Sequence, residues 1–330
     1  MKRILVCVFW LALLLSGCQR KDGAAAGGKL RIAVVPKGTT HEFWKSVHAG
    51  AVKASRELGV EIIWKGPLKE DDLKSQVDLV QTFTAQGVSG IVLAPLNDTA
   101  LAGPVKSAVA AKVPVVIFDS DLKGSDHKSF VATDNLAAGR LAGERMGKLL
   151  SGKGQVIVLR YQEGSASTAN REQGFLDGIK ESPEIKVASA NQYGGATTES
   201  AHAASENLLL AQNAAKGEIS GIFTPNESTT FGMLLALDKA GLAGKIHFIG
   251  FDSSDKLTAA VRAGKIDALV LQNPFKMGYL AVQTMTSVLH QTVVPARIDT
   301  GATLVDKANI DQPEIAELVK PNLAQWLGNE

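Results

Sequence analysis

Short apolar runs rich in β-branched residues recur along the chain and alternate with segments whose apolar residues fall at helical spacing. The runs are Leu30–Val35, Val60–Trp64, Gly90–Ala94, Val113–Phe118, Gln155–Leu159, Ile219–Phe223, Ile246–Phe251 and Asp267–Leu271. Between them the helical period predicts helices over Glu42–Leu58, Leu73–Gln86, Ala137–Leu150, Arg171–Ile179, Thr198–Ala215, Thr229–Ala240 and Lys276–His290. Strands alternating with helices build parallel sheets from right-handed βαβ units. The loops are short and rich in Gly, Pro, Asn and Asp. An α/β fold of two doubly wound parallel-sheet domains is therefore expected, because 330 residues exceed the usual length of one domain.

The first residues follow a different pattern. Lys2 and Arg3 precede an unbroken apolar run from Ile4 to Leu15, which ends in Ser16, Gly17 and Cys18. That run is shorter than the ~20 residues a membrane-spanning helix needs, and its positive–apolar–small order is that of a secretory signal. Residues 1–17 are expected to be a signal peptide. Leu15-Ser16-Gly17-Cys18 resembles the bacterial lipobox, which makes Cys18 the expected lipidation site and residues 18–28 a flexible tether. A plain signal peptide with an incidental cysteine is the alternative. The only cysteines are Cys7 and Cys18, so a chain processed before Cys18 has no disulfide and depends on its core for stability. The net charge of +2 loses Lys2 and Arg3 on that cleavage and falls to near zero. No basic footprint for nucleic acid remains.

In open α/β sheets, ligands bind outside the carboxyl ends of the strands. The polar residues that close each run are Pro36-Lys37, Pro95 to Asp98, Asp119-Ser120-Asp121, Arg160-Tyr161, Thr224 to Glu227, Asp252-Ser253 and Gln272-Asn273. Each alone reads as a solvated loop; together they place carboxylates, amides, hydroxyls and an ammonium on one rim. Other motifs carry no chemistry. His41-Glu42-Phe43-Trp44-Lys45 lacks the second histidine of a zinc-protease helix. The stretch Gly147 to Gly154 ends in Gly where a phosphate loop has Ser or Thr, and reads as a helix cap and turn. No nucleophile elbow is present. No enzyme activity, cofactor or metal is expected.

Five ordered blocks carry a family resemblance. They are Ile32 to Val35 with Phe43-Trp44, Val113 to Asp119, Phe130 to Leu136, Asn170 to Phe175, and Phe248 to Asp252 with Gln272 downstream. From Leu30 to about Ala302 the chain resembles the type I periplasmic binding proteins of the ribose-binding branch. The resemblance implies two similar α/β domains, 29–133 plus 273–301 and 134–272 plus 302–330. They would be joined by a three-segment hinge near Thr133, Gln272 and Gly301 and would close on a ligand. It implies an extracytoplasmic, monomeric substrate-binding lipoprotein, held to the membrane only by its lipid. Such a protein passes a small sugar or polyol to the permease and ATPase of an ABC importer. A sugar-responsive repressor shares the fold but needs a helix-turn-helix where this chain carries a signal.

The ligand positions implied by the resemblance are Lys37, His41, Phe43, Trp44, Asp119, Ser120, Arg171, Asn226, Asp252 and Gln272. Tyr193 and Ala196 fall where ribose binders carry an aromatic residue. Charged groups make the stronger hydrogen bonds to hydroxyls, aromatic planes suit sugar C–H faces, and buried polar groups reject a sugar that leaves them unpaired. Structural readings stand beside these: Trp44 as a core residue with Val47, Arg171 as a solvated helix start, and Asp119 and Asp252 as helix caps. Lys37 and His41 replace neutral polar residues of ribose binders, and Ser120 replaces a second arginine, which argues against plain ribose and hints at an electron-rich ligand. Pro36-Lys37 and Asp119-Ser120-Asp121 also resemble the autoinducer-2-binding branch, whereas Arg171 and Asn226 favour a sugar. A receptor for autoinducer-2 or for chemotaxis is the alternative function.

Overall fold

A computed structural model describes residues 29–328; the signal segment 1–17, the tether 18–28 and Cys18 lie outside the described residues. In chain order the elements are β1 (Arg31–Val35), α1 (Glu42–Leu58), β2 (Glu61–Trp64), α2 (Leu73–Ala85), β3 (Gly90–Leu93), α3 (Ala102–Ala110), β4 (Val115–Phe118) and β5 (Phe130–Ala132). They continue with α4 (Asn135–Leu149), β6 (Lys153–Arg160), α5 (Ala166–Ile179), β7 (Glu184–Tyr193), α6 (Thr198–Ala211), β8 (Gly221–Phe223), α7 (Glu227–Lys239), β9 (His247–Phe251) and α8 (Asp255–Arg262). The last are β10 (Ala268–Gln272), α9 (Pro274–Leu289), β11 (Arg297–Asp299), β12 (Ala302–Asp306), α10 (Pro313–Val319) and α11 (Ala324–Leu327).

Two six-stranded sheets result, ordered β11-β5-β4-β3-β1-β2 and β12-β10-β9-β8-β6-β7. All neighbours are parallel except β10 and β12, which run antiparallel. Helices cover both faces of each sheet, and two apolar clusters lie on the faces of each. Each expected strand and helix is present. The pattern missed β5, β7, β11 and β12 and the helices α3, α8, α10 and α11; β7 is largely exposed along its edge of the second sheet, and β11 is a three-residue edge strand. An edge strand with one wet face lacks the continuous apolar run of a central parallel strand.

Equivalent helix pairs flank the two sheets and meet through glycine. A Cβ at Gly50 or Gly278 would overlap a carbonyl oxygen across the α1–α9 contact, and one at Gly139, Gly143, Gly174 or Gly178 would do so across α4–α5. Backbone therefore rests on backbone, which fixes the height of α1 and α5 above their sheets.

The chain passes from the first sheet to the second after β5, back after β10, and over again between β11 and β12. Two of these links are tied together: Thr133 Oγ1 lies 3.3 Å from Thr300 Oγ1 and donates to the Gly301 carbonyl at 3.2 Å. Asp299 accepts from the backbone N–H groups of Asp134 and Gly301 at 3.0 and 2.9 Å. The assignment of all of 302–330 to the second domain needs correction at its end. Ile315 of α10 joins the core of the second sheet, but α11 returns to the first. There Arg56 of α1 donates to the Trp326 carbonyl at 2.9 Å and its guanidinium lies over the Trp326 ring at 5.5 Å. This fourth crossing was hidden because Ala324–Leu327 is one turn with no buried residue.

The glycine contacts give a direct test. Gly174→Leu should cost about 1–3 kcal/mol through overpacking and lower the thermal midpoint. Gly103→Ala, in open space on α3, should leave it unchanged or raise it slightly. Equal midpoints for Gly174→Leu and the wild type would refute the close-packing account.

Candidate functional site

The carboxyl ends of the two sheets face each other. Asp119 follows β4 and Asp252 follows β9, at matching places in the two strand orders. Both take left-handed backbone, φ 60° and 65°, which Asp tolerates better than most side chains. Lys37 follows β1, His41 and Phe43 stand at the start of α1, and Glu70 lies between β2 and α2. From the second lobe come Tyr161 after β6, Ser167, Thr168 and Arg171 on α5, Asn226 and Glu227 at the start of α7, and Gln272 at the end of β10. With Trp44, these residues enclose a cavity of about 30 Å³. A groove of about 1000 Å³ adjoins it and shares His41, Phe43, Glu70, Glu227, Asp252 and Gln272.

Burial of so many charges demands partners. Lys37 is 2% exposed; its ammonium contacts Asp119 Oδ2 at 3.1 Å and donates across the cleft to Ser165 and Ser167 hydroxyls at 3.2 and 3.0 Å. Glu70 collects three donors: His41 Nδ1 at 2.6 Å, Trp44 Nε1 at 2.7 Å and, from the other lobe, Tyr161 hydroxyl at 2.6 Å. Burial opposes ionisation of both His41 and Glu70, but their mutual attraction and hydrogen bond outweigh it. His41 is raised to about 9 and Glu70 lowered to about 2. Burial raises the Asp252 carboxyl, against the pull of the Arg171 guanidinium.

Arg171 donates through Nε to Asn135 at 2.8 Å and through Nη1 to the Pro225 carbonyl at 2.9 Å, with Nη1 3.9 Å from Asp252. Its guanidinium lies over the Phe251 ring at 4.3 Å. Gln272 Nε2 donates to Asp252 at 2.8 Å. Among the described residues, Arg171 Nη2 and Gln272 Oε1 are buried with no hydrogen-bond partner, and both side chains line the cavity. One is a donor and the other an acceptor.

Nine of the ten residues singled out from sequence border this cavity, and Ser120 does not. Ser120 Oγ instead accepts from the Ser167 backbone N–H at 3.1 Å, so it joins the lobes. Trp44 touches the cavity, but it is 2% exposed and sits in the first-lobe core with Phe118 at an 84° ring angle. Trp44 is thus both a core residue and part of the cavity wall, and Phe43 borders both cavity and groove. Asn226 caps α7 through the Thr229 N–H, and Asp252 accepts from the Glu227 N–H at 3.1 Å. Tyr193 is exposed beside Arg160 and Ala196 lines only the groove, so Tyr161 is the second lobe's aromatic at the cavity. Glu70 was missed because Lys69-Glu70-Asp71-Asp72 has the composition of a solvated loop. Ser167 and Thr168 carried no signal. No cluster suited to a metal occurs among the described residues.

The site lies between two doubly wound lobes, and comparison with known proteins gives it a class. The family model described as "Periplasmic binding protein domain" matches residues 32–291. The chain belongs to that family, in the type I, sugar-binding branch. It is 29% identical over 272 residues to the D-ribose/D-allose-binding protein of Pseudomonas aeruginosa, covering 79% of this chain and 82% of that protein. It is 26% identical to the ribose import binding protein of Haemophilus influenzae, covering 86% and 94%. Among solved structures, an ABC transporter solute-binding protein from Agrobacterium vitis with bound D-fucose superposes with a TM-score of 0.83 at 35% identity, covering 88% of this chain and 99% of that one. The family is extracytoplasmic. Among the described residues no helix is long and apolar enough to cross a membrane.

The His41–Glu70 pair should leave a signature in stability. His41 is raised, so its contribution is complete below about pH 6.5 and is lost as pH rises through about 9. Glu70 is lowered, so its contribution is complete above about pH 4.5 and is lost as pH falls toward about 2. Thermal melts between pH 6.5 and 9.5 should show a loss on the order of 2 kcal/mol, absent in Glu70→Gln. The same slope in both proteins would contradict the assignment.

Proposed function

We propose that this protein is a substrate-binding lipoprotein that captures a neutral monosaccharide between its lobes and delivers it to an ABC importer. The single observation that carries the reading is the pair of unpartnered cavity atoms, Arg171 Nη2 and Gln272 Oε1. One needs an acceptor and the other a donor. A hydroxyl supplies both, and a sugar ring presents several at fixed spacing. The Asp119 and Asp252 carboxylates add acceptors, and Phe43 adds an apolar face. Relatives that carry D-fucose, D-arabinose or D-allose support a monosaccharide.

A cavity of about 30 Å³ has room for little more than ordered water, so a sugar reaches the site by separation of the lobes. The ties at Thr133, Thr300 and Gly301 are the proposed hinge, with Gln272 at the third link. Closure then strips water from Arg171 and Asp252 as sugar hydroxyls take its place. Anchoring through Cys18 keeps the protein beside its permease.

Two measurements test this. A thermal-shift panel should show stabilisation by a neutral monosaccharide, while uronic acids have no effect. Stabilisation by autoinducer-2 alone would support the signalling alternative, and a response to none of these compounds would overturn the proposal. With the stabilising sugar, Arg171→Lys removes Nη2 yet keeps the charge, and should weaken binding about tenfold to a hundredfold. An unchanged affinity removes Arg171 from the site. For the anchor, Cys18→Ser should abolish lipid attachment, seen as loss of membrane fractionation; wild-type protein that is cleaved elsewhere and unlipidated would sink that part.

A further inference from the structure

We propose that Glu227 is a positioning residue for closure: its carboxylate, carried by the second lobe, caps the amino terminus of α1 in the first and shuts the cavity off from the groove. The proposal rests on the reading that the lobes close over a sugar. The first N–H groups of a helix have no partner within it. Here His41 occupies the N-cap position of α1 and supplies no side-chain cap. Glu227 takes that place from the opposite lobe. Its Oε2 accepts from the Phe43 N–H at 3.2 Å and its Oε1 from the Glu42 N–H at 3.4 Å. Its own helix has no need of it, because Asn226 already caps α7. Glu227 lines both the cavity and the groove, so it stands where the two meet.

The charged groups around it differ in how closure affects them. His41, Glu42 and Glu70 belong to the first lobe, and Asp252 and Arg171 to the second. The His41–Glu70 pair lies within one lobe and survives separation. Glu227 alone exchanges water for the end of α1. Burial raises it from 4.5 to about 7, opposed by His41 and reinforced by Asp252. A group whose pKa rises on closure takes up a proton as the lobes meet. Closure is therefore favoured as pH falls from about 7 toward 4.5, and that gain is absent above about 7. The neutral side chain still presents a carbonyl oxygen to the Phe43 N–H, and a glutamine there does so at every pH.

Hydrogen exchange of the Glu42 and Phe43 amides in the ligand-free protein reads this contact directly. After correction for intrinsic exchange, wild-type protection should rise about tenfold between pH 8 and pH 6. Glu227→Gln should be protected to the same degree at both values. Glu227→Ala should be unprotected at both. Protection that is flat with pH in the wild type, or equal in wild type and Glu227→Ala, overturns the proposal. This outcome is separable from failure of the functional reading: absence of sugar binding with the protection pattern intact refutes the function alone, and sugar binding with flat protection refutes the latch alone.

Discussion

Lys37, His41 and Arg171 meet Glu70, Asp119, Glu227 and Asp252 between the two sheets, largely removed from water. A charge buried without a partner costs several kcal/mol, and this requirement governs the whole interface. Lys37 is satisfied by Asp119 on its own lobe and by two serines on the other. Glu70 is satisfied by His41 and Trp44 on its own lobe and by Tyr161 across the cleft. Each ion pair lies within one lobe, but because each set draws hydroxyls from the other, its hydrogen bonds are complete at only one relative placement. A shift of one lobe by about 1 Å would take these contacts out of hydrogen-bond range.

That tolerance explains why the helices behind the cleft are seated on backbone. Side chains at a helix contact adjust by changing rotamer, whereas glycine facing a carbonyl leaves nothing to adjust. The α1–α9 and α4–α5 contacts use this device in the two halves, and α1 and α5 are two of the three helices whose amino ends reach the cavity, α7 being the third. The matching left-handed aspartates after β4 and β9 extend the correspondence to the site itself. The halves diverge where they exchange chain: β11 pairs parallel with β5, while β12 pairs antiparallel with β10.

The central strands were legible because a parallel strand covered on both faces must be apolar throughout, as Val115–Phe118 and residues 268–271 are. Asp119, Asp252 and Gln272 were legible for a related reason: each is the first polar position at the end of such a run. Glu70 was not, since its burial comes from His41 and Tyr161, which are 29 and 91 positions away. Nor was the role of Trp44, because an aromatic in the first turn of a helix beside a polar loop suits a core and a ligand face equally. The partner that holds its indole N–H is the Glu70 carboxylate, 26 positions away. α11 is too short to show a period, and only its packing on Arg56 and Phe275 gives it a place.

The same accounting bears on the charge of the proposed ligand. On sequence alone, Lys37 and His41 looked like cations available to an electron-rich group. An ammonium has three donors, and those of Lys37 point to Asp119, Ser165 and Ser167. His41 is held by Glu70. An anionic ligand would have to break one of these sets and leave Asp119 or Glu70 buried beside a second negative charge. Arg171 is no freer, since Asn135 and Pro225 occupy two of its nitrogens and Asp252 lies near. What the cavity still offers is one guanidinium donor, one amide acceptor and the remaining edges of two carboxylates. Those groups match hydroxyls, which donate and accept at once and bring no charge to a site whose three cations already face carboxylates.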